Sequence, residues 1–143
     1  MDANEYLAQI HEAKGRISAL KVRKRAYEGM ADSIPTHPLD EPKTQKSRTN
    51  PQAPFVRWMD RILEAGKAID EAEAELKRLT DEAMGIIRRM ESPEHQGILV
   101  RRYFDEMSWD DICLELSISR STCWRWHREA LREFGKTMKD ETR

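Results

Sequence analysis

Apolar residues recur three and four positions apart through much of the chain before residue 91, which is the spacing of one helix face. Over residues 4–30 this spacing predicts an amphipathic helix with a heptad-like apolar edge. The edge consists of Tyr6, Ile10, Ala13, Ile17, Leu20 and Tyr27. A longer helix is predicted from Pro54 to Met90, because proline is tolerated in a first helical turn and the spacing resumes at Phe55. Such a helix spans on the order of 50 Å and needs a long partner.

Residues 31–54 interrupt this pattern and predict a linker. They contain prolines, which break helices, at Pro35, Pro38, Pro42, Pro51 and Pro54. Residues 43–57 are basic and include no acidic residue. Two interpretations of this basic stretch stay open: a solvated loop, or an arm that contacts the DNA backbone or a protein partner.

The linker lets the first helix fold back on the second, so residues 1–91 are predicted to form a long antiparallel, coiled-coil-like hairpin. The first helix is the shorter one, which leaves part of the second helix's apolar edge uncovered. We expect a second copy of the chain to cover it, giving a homodimer, because a two-helix hairpin buries little apolar area. The alternative is an intramolecular hairpin that rests on the C-terminal domain.

Residues 92–136 combine short helical segments with residues that cap helices. Ser92 followed by proline and glutamate predicts a helix start, and this helix should continue to Phe104. Further along, the apolar pattern ends, and residues 137–143 are expected to fray. We therefore predict a small C-terminal domain at residues 92–136, followed by a tail.

Two further helices are predicted within this domain, around a tight turn. Ser108, followed by two aspartates in the first turn, is placed to cap the first helix. Ser117 interrupts the apolar pattern, and Ser119 can cap a second helix over residues 119–135. The spacing is that of a helix-turn-helix, so the predicted fold is all-α.

Four short motifs carry a resemblance to a known family: Tyr103-Phe104, Ser108-Trp109-Asp110-Asp111-Ile112, Ile118-Ser119-Arg120 and Ala130-Leu131. At these residues the stretch from Arg101 to Leu131 resembles the fourth conserved region of bacterial sigma factors, which binds the promoter −35 element. In its layout the whole chain resembles the ArpU-like small phage transcriptional regulators. One departure is Ser117, which stands where the family usually has glycine. A left-handed serine costs roughly 1 kcal/mol.

A helix-turn-helix places the N-terminal half of its second helix in the major groove. On that geometry the candidate DNA-contacting residues are Arg120, Ser121, Thr122, Trp124, Arg125 and Arg128. Arg120 and Arg125 are the candidates for base contacts, since a guanidinium can span guanine O6 and N7. Arg128 is expected at a phosphate. The resemblance implies the same face, because the matching sigma-family positions face the −35 DNA. For Trp124, a place in the core or in a protein contact stays open.

Other reactive or aromatic residues of this domain are assigned to packing. His127 is expected to be half-buried, with phosphate binding as the alternative. Trp109 is expected to pack on Tyr103 or on the helix above it. Cys113 and Cys123 fall where the pattern needs small apolar residues, which predicts packed, reduced thiols, with a disulfide as the alternative.

Composition narrows the range of functions. The chain has 143 residues and a net charge of −1, but four arginines and one acid lie between Ser119 and Arg132. Histidines and cysteines lack zinc spacing, so we expect no metal. Without a glycine-rich phosphate loop or a nucleophile with a base, we expect no enzyme, no cofactor and no small-molecule substrate. No run of apolar residues suits a membrane span or a leader, so the cytoplasm is expected.

Together these features predict a sequence-specific, duplex DNA-binding transcriptional regulator. The resemblance implies a phage or prophage origin and a contact with host RNA polymerase, and it alone favours an activator over a repressor. Two alternatives stay open. One is a DNA-packaging subunit like a small terminase subunit, which also combines a helix-turn-helix with oligomerising helices. The other is a module that binds RNA polymerase or a sigma factor without binding DNA.

Overall fold

The computed structural model describes residues 1–34 and 53–141, and these ranges contain helices and no strands. The protein is therefore all-α over the part of the chain that the structure describes. The helices are α1 (Ala3–Asp32), α2 (Ala53–Arg88), α3 (Pro93–Leu99), α4 (Trp109–Leu116) and α5 (Arg120–Glu141), with a π-helical turn at Val100–Phe104. The bounds of α1 and α2 agree with the sequence prediction to within two residues. Most of the predicted linker, including Lys43, Lys46 and Arg48, lies outside the described residues.

The chain divides into two compact units. The first unit consists of Met1–Gly15 and Ala74–Arg143, and the second of Arg16–Glu73. The domain boundary predicted between residues 91 and 92 thus falls inside the first unit, because the start of α1 and the end of α2 share its core. That residues 92–136 fold on their own stays a prediction.

The core of the first unit is built from one face of each of its helices. Its largest fully buried side chains are Leu7, Ile10, Ile86, Ile98, Leu99, Ile112 and Phe134. Burial of each such side chain stabilises the fold by about 1.5–3 kcal/mol. Phe134 follows buried Ala130 by four positions and lies on the same side of the last helix.

The second unit buries few large side chains. Its buried apolar residues are Ile17, Ala31, Ala65 and Ile69. The rings of Tyr27 and Trp58 lie 5.8 Å apart, so Trp58 packs between the helices. Phe55 and Met59, at the start of the predicted apolar edge of α2, are 42% and 36% exposed. Within the chain, these two residues of the predicted apolar edge stay uncovered.

The C-terminal helices differ from the prediction in two places. The helix that begins at Pro93 changes to a π-helical turn at Val100 and does not continue as an α-helix to Phe104. The last helix continues to Glu141, where a frayed tail was expected from residue 137. Met138 packs against the core, which explains why these turns stay helical.

Among the helices of the described ranges, none has the length and apolar character that crossing a bilayer requires.

Candidate nucleic-acid interface

Two serine caps fix where α4 and α5 begin. The backbone N–H of Asp111 donates to Ser108 Oγ at 3.1 Å, and that of Thr122 donates to Ser119 Oγ at 3.2 Å. Each bond satisfies an N–H that has no partner within its own helix. Both caps were predicted from the sequence, and both are confirmed.

Between the two helices, Ser117 adopts the left-handed conformation, with φ 55° and ψ 47°. This conformation ends α4 and lets the Ile118 N–H donate to the Cys113 carbonyl at 3.0 Å. The predicted left-handed serine is therefore confirmed. It has a local cost, since only glycine adopts this region without a Cβ penalty.

One side of α5 is anchored in the core of the first unit. Buried residues recur at spacings of four, three and four positions and comprise Cys123, His127, Ala130 and Phe134. Trp126 and Leu131 are partly buried against the same core. Because this stripe fixes the rotation of the helix about its axis, the residues on the opposite side must face solvent.

The six predicted DNA-contacting residues all lie in the first half of α5, but they are not equally accessible. Five are exposed: Arg120, Ser121, Trp124, Arg125 and Arg128. Trp124 is 66% exposed, which excludes a place in the core. Thr122 is half-buried, and its hydroxyl accepts a hydrogen bond from Ser119 Oγ at 3.0 Å. Its hydroxyl is thus engaged in the cap and is the least available of the six.

Arg120 does not project alone into solvent. Its guanidinium donates to the carboxylate of Asp110 in the first turn of α4, and this contact raises the pKa of Arg120 further above its usual value. Both side chains are more than half exposed. A surface ion pair of this kind is weak because solvent screens it, so a phosphate or a base edge can displace the carboxylate. Arg125 is held more loosely, 3.9 Å from Glu129.

An aromatic cluster supports Trp124 from beneath. The His127 ring stacks on Trp124 with centroids 6.1 Å apart and meets Trp109 edge-on at 4.7 Å. The Tyr103 hydroxyl lies 3.0 Å from His127 Nε2. Trp109 also lies under the guanidinium of Arg102, 4.4 Å from its ring centroid. Both rings pack within the domain, but His127 is buried where a half-buried position was predicted. The ring contacts of Trp109 are with Trp124 and His127 of α5, where Tyr103 or the helix above was predicted.

Burial decides the charge of His127. It lowers the pKa of the imidazole to about 4, and the positive charge of Arg102 acts in the same direction. The ring is therefore neutral at pH 7, and its Nε2 can accept the hydrogen bond from the Tyr103 hydroxyl. A neutral, buried imidazole does not suit phosphate binding, which was the alternative role for this residue.

A groove of about 440 Å³ lies between α4 and α5, beside the exposed face. Its lining includes both cysteines, Cys113 and Cys123, and the rings of Trp109 and Trp124. The two thiols are free, as predicted. Burial, followed by the hydrogen bond to Cys113, raises the pKa of Cys123 to about 11, so this thiol is protonated at neutral pH. Within the described ranges, no cluster of three potential metal ligands occurs.

The comparison with protein families gives a match over residues 59–135, which is more than half of the chain. The matched stretch runs from the first turns of α2 to the last third of α5 and includes both serine caps, Ser117 and all six candidate residues. This chain belongs to the DUF1492 family. The family is described as proteins of unknown function. Comparisons of this DUF1492 chain with curated proteins and with solved structures gave no match.

Proposed function

We propose that this protein binds duplex DNA with the exposed face of α5 and acts as a transcriptional regulator of phage or prophage origin. One observation carries the proposal: the buried stripe on α5 leaves three arginines, a serine and a tryptophan on the opposite, solvent-facing side. Arginine is the side chain that most often reads guanine in the major groove. The resemblance of residues 101–131 to the fourth conserved region of sigma factors supports the same surface.

In this proposal α4 and α5 form a helix-turn-helix, and the first half of α5 enters the major groove. Arg120 and Arg125 read base edges, and Arg128 contacts a phosphate. The exposed ring of Trp124 packs on a thymine methyl group or a sugar, held by His127 and Trp109 beneath it. Thr122 stays in the cap, so Ser121 is the hydroxyl that reaches DNA.

The test begins with selection of a binding site from a pool of random duplexes, because the target sequence is unknown. Affinity for the selected duplex is then compared between the wild type and the double variant Arg120→Ala/Arg125→Ala. Each lost bidentate base contact costs about 1–3 kcal/mol, so we expect the affinity to fall by about 30-fold or more. Arg23→Ala/Arg25→Ala removes two exposed arginines from α1 and is the matched control.

Equal affinity of the wild type and the Arg120→Ala/Arg125→Ala variant would contradict the proposal. Failure to select any duplex from the pool would do the same, and it would favour the alternative in which the sigma-like domain binds protein and not DNA. Retention of the thermal transition in both variants shows that the comparison reports binding and not folding.

We also propose that the second unit joins two chains. Lys21 pairs with Glu73 and Tyr27 contacts Trp58, so residue numbers fall along α2 as they rise along α1. This order supports an antiparallel hairpin. The unit nevertheless exposes large apolar side chains, namely Val22, Met30, Phe55, Val56, Met59 and Leu63. A second copy of the chain is the partner that could cover them in a homodimer.

Contact with host RNA polymerase is a second proposed interaction, favoured by one observation on α4. Leu114 is 78% exposed, although it lies on the helix that a helix-turn-helix places across the DNA backbone. An exposed leucine there has no role in phosphate binding and suits a protein contact. We expect Leu114→Ala to leave DNA affinity unchanged and to reduce transcription from the target promoter in a reconstituted assay.

A further inference from the structure

In the middle of α5, basic and acidic residues alternate along the sequence. Residues 128–136 contain Arg128, Glu129, Arg132, Glu133 and Lys136, so this segment carries little net charge. In sequence alone, this alternation is typical of a solvated helix surface on which residues of the same helix form ion pairs. The folded structure distributes these charges differently.

The two acids of this segment both contact a single histidine of α3, His95. Glu133 Oε1 lies 2.7 Å from His95 Nδ1, and Glu129 Oε2 lies 3.3 Å from His95 Nε2. Glu133 also accepts the backbone N–H of Glu91 at 2.6 Å. Burial raises the pKa of Glu133, but the hydrogen bonds from His95, Glu91 and Ser92 outweigh it and lower the pKa overall. Glu133 therefore stays ionised and fixed on the α3 side.

The basic residues of the segment lie on a different face of α5. Arg128, Arg132 and Lys136 are all exposed, and their spacing of four residues places them on one face of the helix. From Arg128 to Lys136 they span about 12 Å of the helix axis, on the side of Arg125. The fold thus places three cations in one row, with Glu133 held on the α3 side and Glu129 between His95 and Arg125.

Because α5 is long, the row of Arg128, Arg132 and Lys136 lies away from the bases when the first turns of the helix are in the groove. The helix has 22 residues and is about 33 Å long, whereas the major groove is about 12 Å wide. When the first turns of α5 are in the groove, its second half must lie outside, near the sugar-phosphate backbone. Cations placed there meet phosphates and not base edges.

We propose that Arg132 and Lys136 form a phosphate-binding extension of the interface, which anchors the protein on DNA without reading sequence. The inference rests on the proposed function of α5. It assigns roles to two residues outside the predicted set.

The experiment measures the affinity of the full-length protein for the selected duplex between about 50 and 200 mM salt. Each lost phosphate contact reduces the slope of log affinity against log salt by about 0.9. We expect Arg132→Gln/Lys136→Gln to reduce the slope by about 1.8, so that the loss of affinity across this salt range becomes about tenfold smaller. The sequence preference should not change. Arg132→Lys should keep the wild-type slope, because a phosphate contact needs only a positive charge.

The matched control is Arg23→Gln/Arg25→Gln, which removes the same charge from exposed positions of α1. An unchanged slope in Arg132→Gln/Lys136→Gln, with a wild type that binds DNA and loses affinity in Arg120→Ala/Arg125→Ala, overturns the phosphate-binding extension alone. An equal reduction of slope in the α1 control overturns it too, because the effect would then come from net charge. Absence of DNA binding by the wild type overturns the proposed function as well.

Discussion

At the turn between α4 and α5, Ser117 adopts a left-handed backbone conformation that is unfavourable for a residue with a side chain. Its φ of 55° ends α4 and so sets the direction of α5 relative to α4. Only Ile118 separates this residue from Ser119, which caps α5. For a residue with a Cβ atom, this region costs roughly 1–2 kcal/mol. The turn keeps this conformation despite the cost, because the Ile118 hydrogen bond to the Cys113 carbonyl and the two serine caps fix its geometry.

Replacement of Ser117 by glycine should therefore stabilise the protein. We expect Ser117→Gly to raise the free energy of unfolding by about 0.5–1 kcal/mol, since relief of the Cβ penalty exceeds the added entropy of the unfolded chain. Urea denaturation measures this change. Ser121→Gly is the matched control: it makes the same chemical change inside α5 and should destabilise the protein by about 0.5–1 kcal/mol. Destabilisation by Ser117→Gly would contradict the assigned turn conformation.

His127 makes stability depend on pH. Its pKa of about 4 in the folded protein lies below the ordinary value of 6.5, so the unfolded chain binds a proton first as the pH falls. The contribution of its neutral form to the free energy of unfolding is fully present above pH 6.5 and is lost as the pH falls toward 4. Between pH 7 and pH 5 this decrease amounts to about 2 kcal/mol.

The variant His127→Gln isolates this effect, because glutamine keeps an acceptor for the Tyr103 hydroxyl and does not titrate. Chemical denaturation at pH 7 and pH 5 should show a smaller loss of stability in the variant than in the wild type. The lowered pKa of Glu133 acts below that residue's ordinary value of 4.5 and does not contribute in this range. An equal loss in both proteins would show that His127 is not buried in the neutral form.

Local chemistry made several residues of the site predictable. The serine caps, the left-handed Ser117 and the exposure of Arg120 and Arg125 follow from side-chain type and helical spacing. The half-buried position of Thr122 and the pairing of Arg120 with Asp110 did not follow. Both depend on how α4 and α5 meet, and no spacing within a single helix encodes that geometry.

At the scale of elements, the carboxylate of Asp110 competes with DNA for Arg120. The two residues come from different helices, and their contact must open before the guanidinium can reach a base. We expect Asp110→Asn to tighten DNA binding by about two- to fivefold, which corresponds to a surface ion pair. Fluorescence anisotropy with the selected duplex measures the change.

Asp111→Asn provides the control, because Asp111 is an exposed acid in the same turn of α4 and its removal changes the net charge equally. A similar gain in affinity from both variants would mean that the effect is general electrostatics and that Arg120 is not restrained. Both variants keep the cap, since Ser108 bonds the backbone N–H of Asp111 and not its side chain.

The extent of α5 shows what tertiary structure adds to the sequence. Residues 137–141 carry no clear apolar period, so the sequence predicts a frayed tail, yet the helix continues to Glu141. Thr137 Oγ1 donates to the Glu133 carbonyl at 2.9 Å, and Met138 contacts the core. The Met138 contact depends on the core that the other helices build, and the period of α5 alone does not contain it.

At the scale of the whole molecule, the periodicity of the chain predicted the two long helices well and their packing less well. The same apolar period runs through all of α2, but its first turns expose Phe55 and Met59 while its last turns are buried in the first unit. Period identifies which residues share a face. It does not identify the surface that covers the face.

The exposed apolar residues of the second unit lead to a prediction about the oligomeric state of the protein. We expect sedimentation equilibrium to give twice the chain mass for the wild type and the monomer mass for Leu63→Glu, which places a charge in the proposed interface. Leu114→Glu, on the first unit, should leave the dimer intact. A wild-type monomer would contradict the homodimer, and a closed ring of many subunits would favour the DNA-packaging alternative.

The most direct test of the central claim maps the DNA-contacting surface on the intact protein by NMR. Isotope-labelled full-length protein is titrated with the selected duplex, and changes in amide chemical shift are measured residue by residue. We predict that the largest changes occur in residues 120–136, with smaller ones at the start of α4. Binding with the largest changes elsewhere and an unperturbed α5, or no change on adding any duplex, would contradict the account.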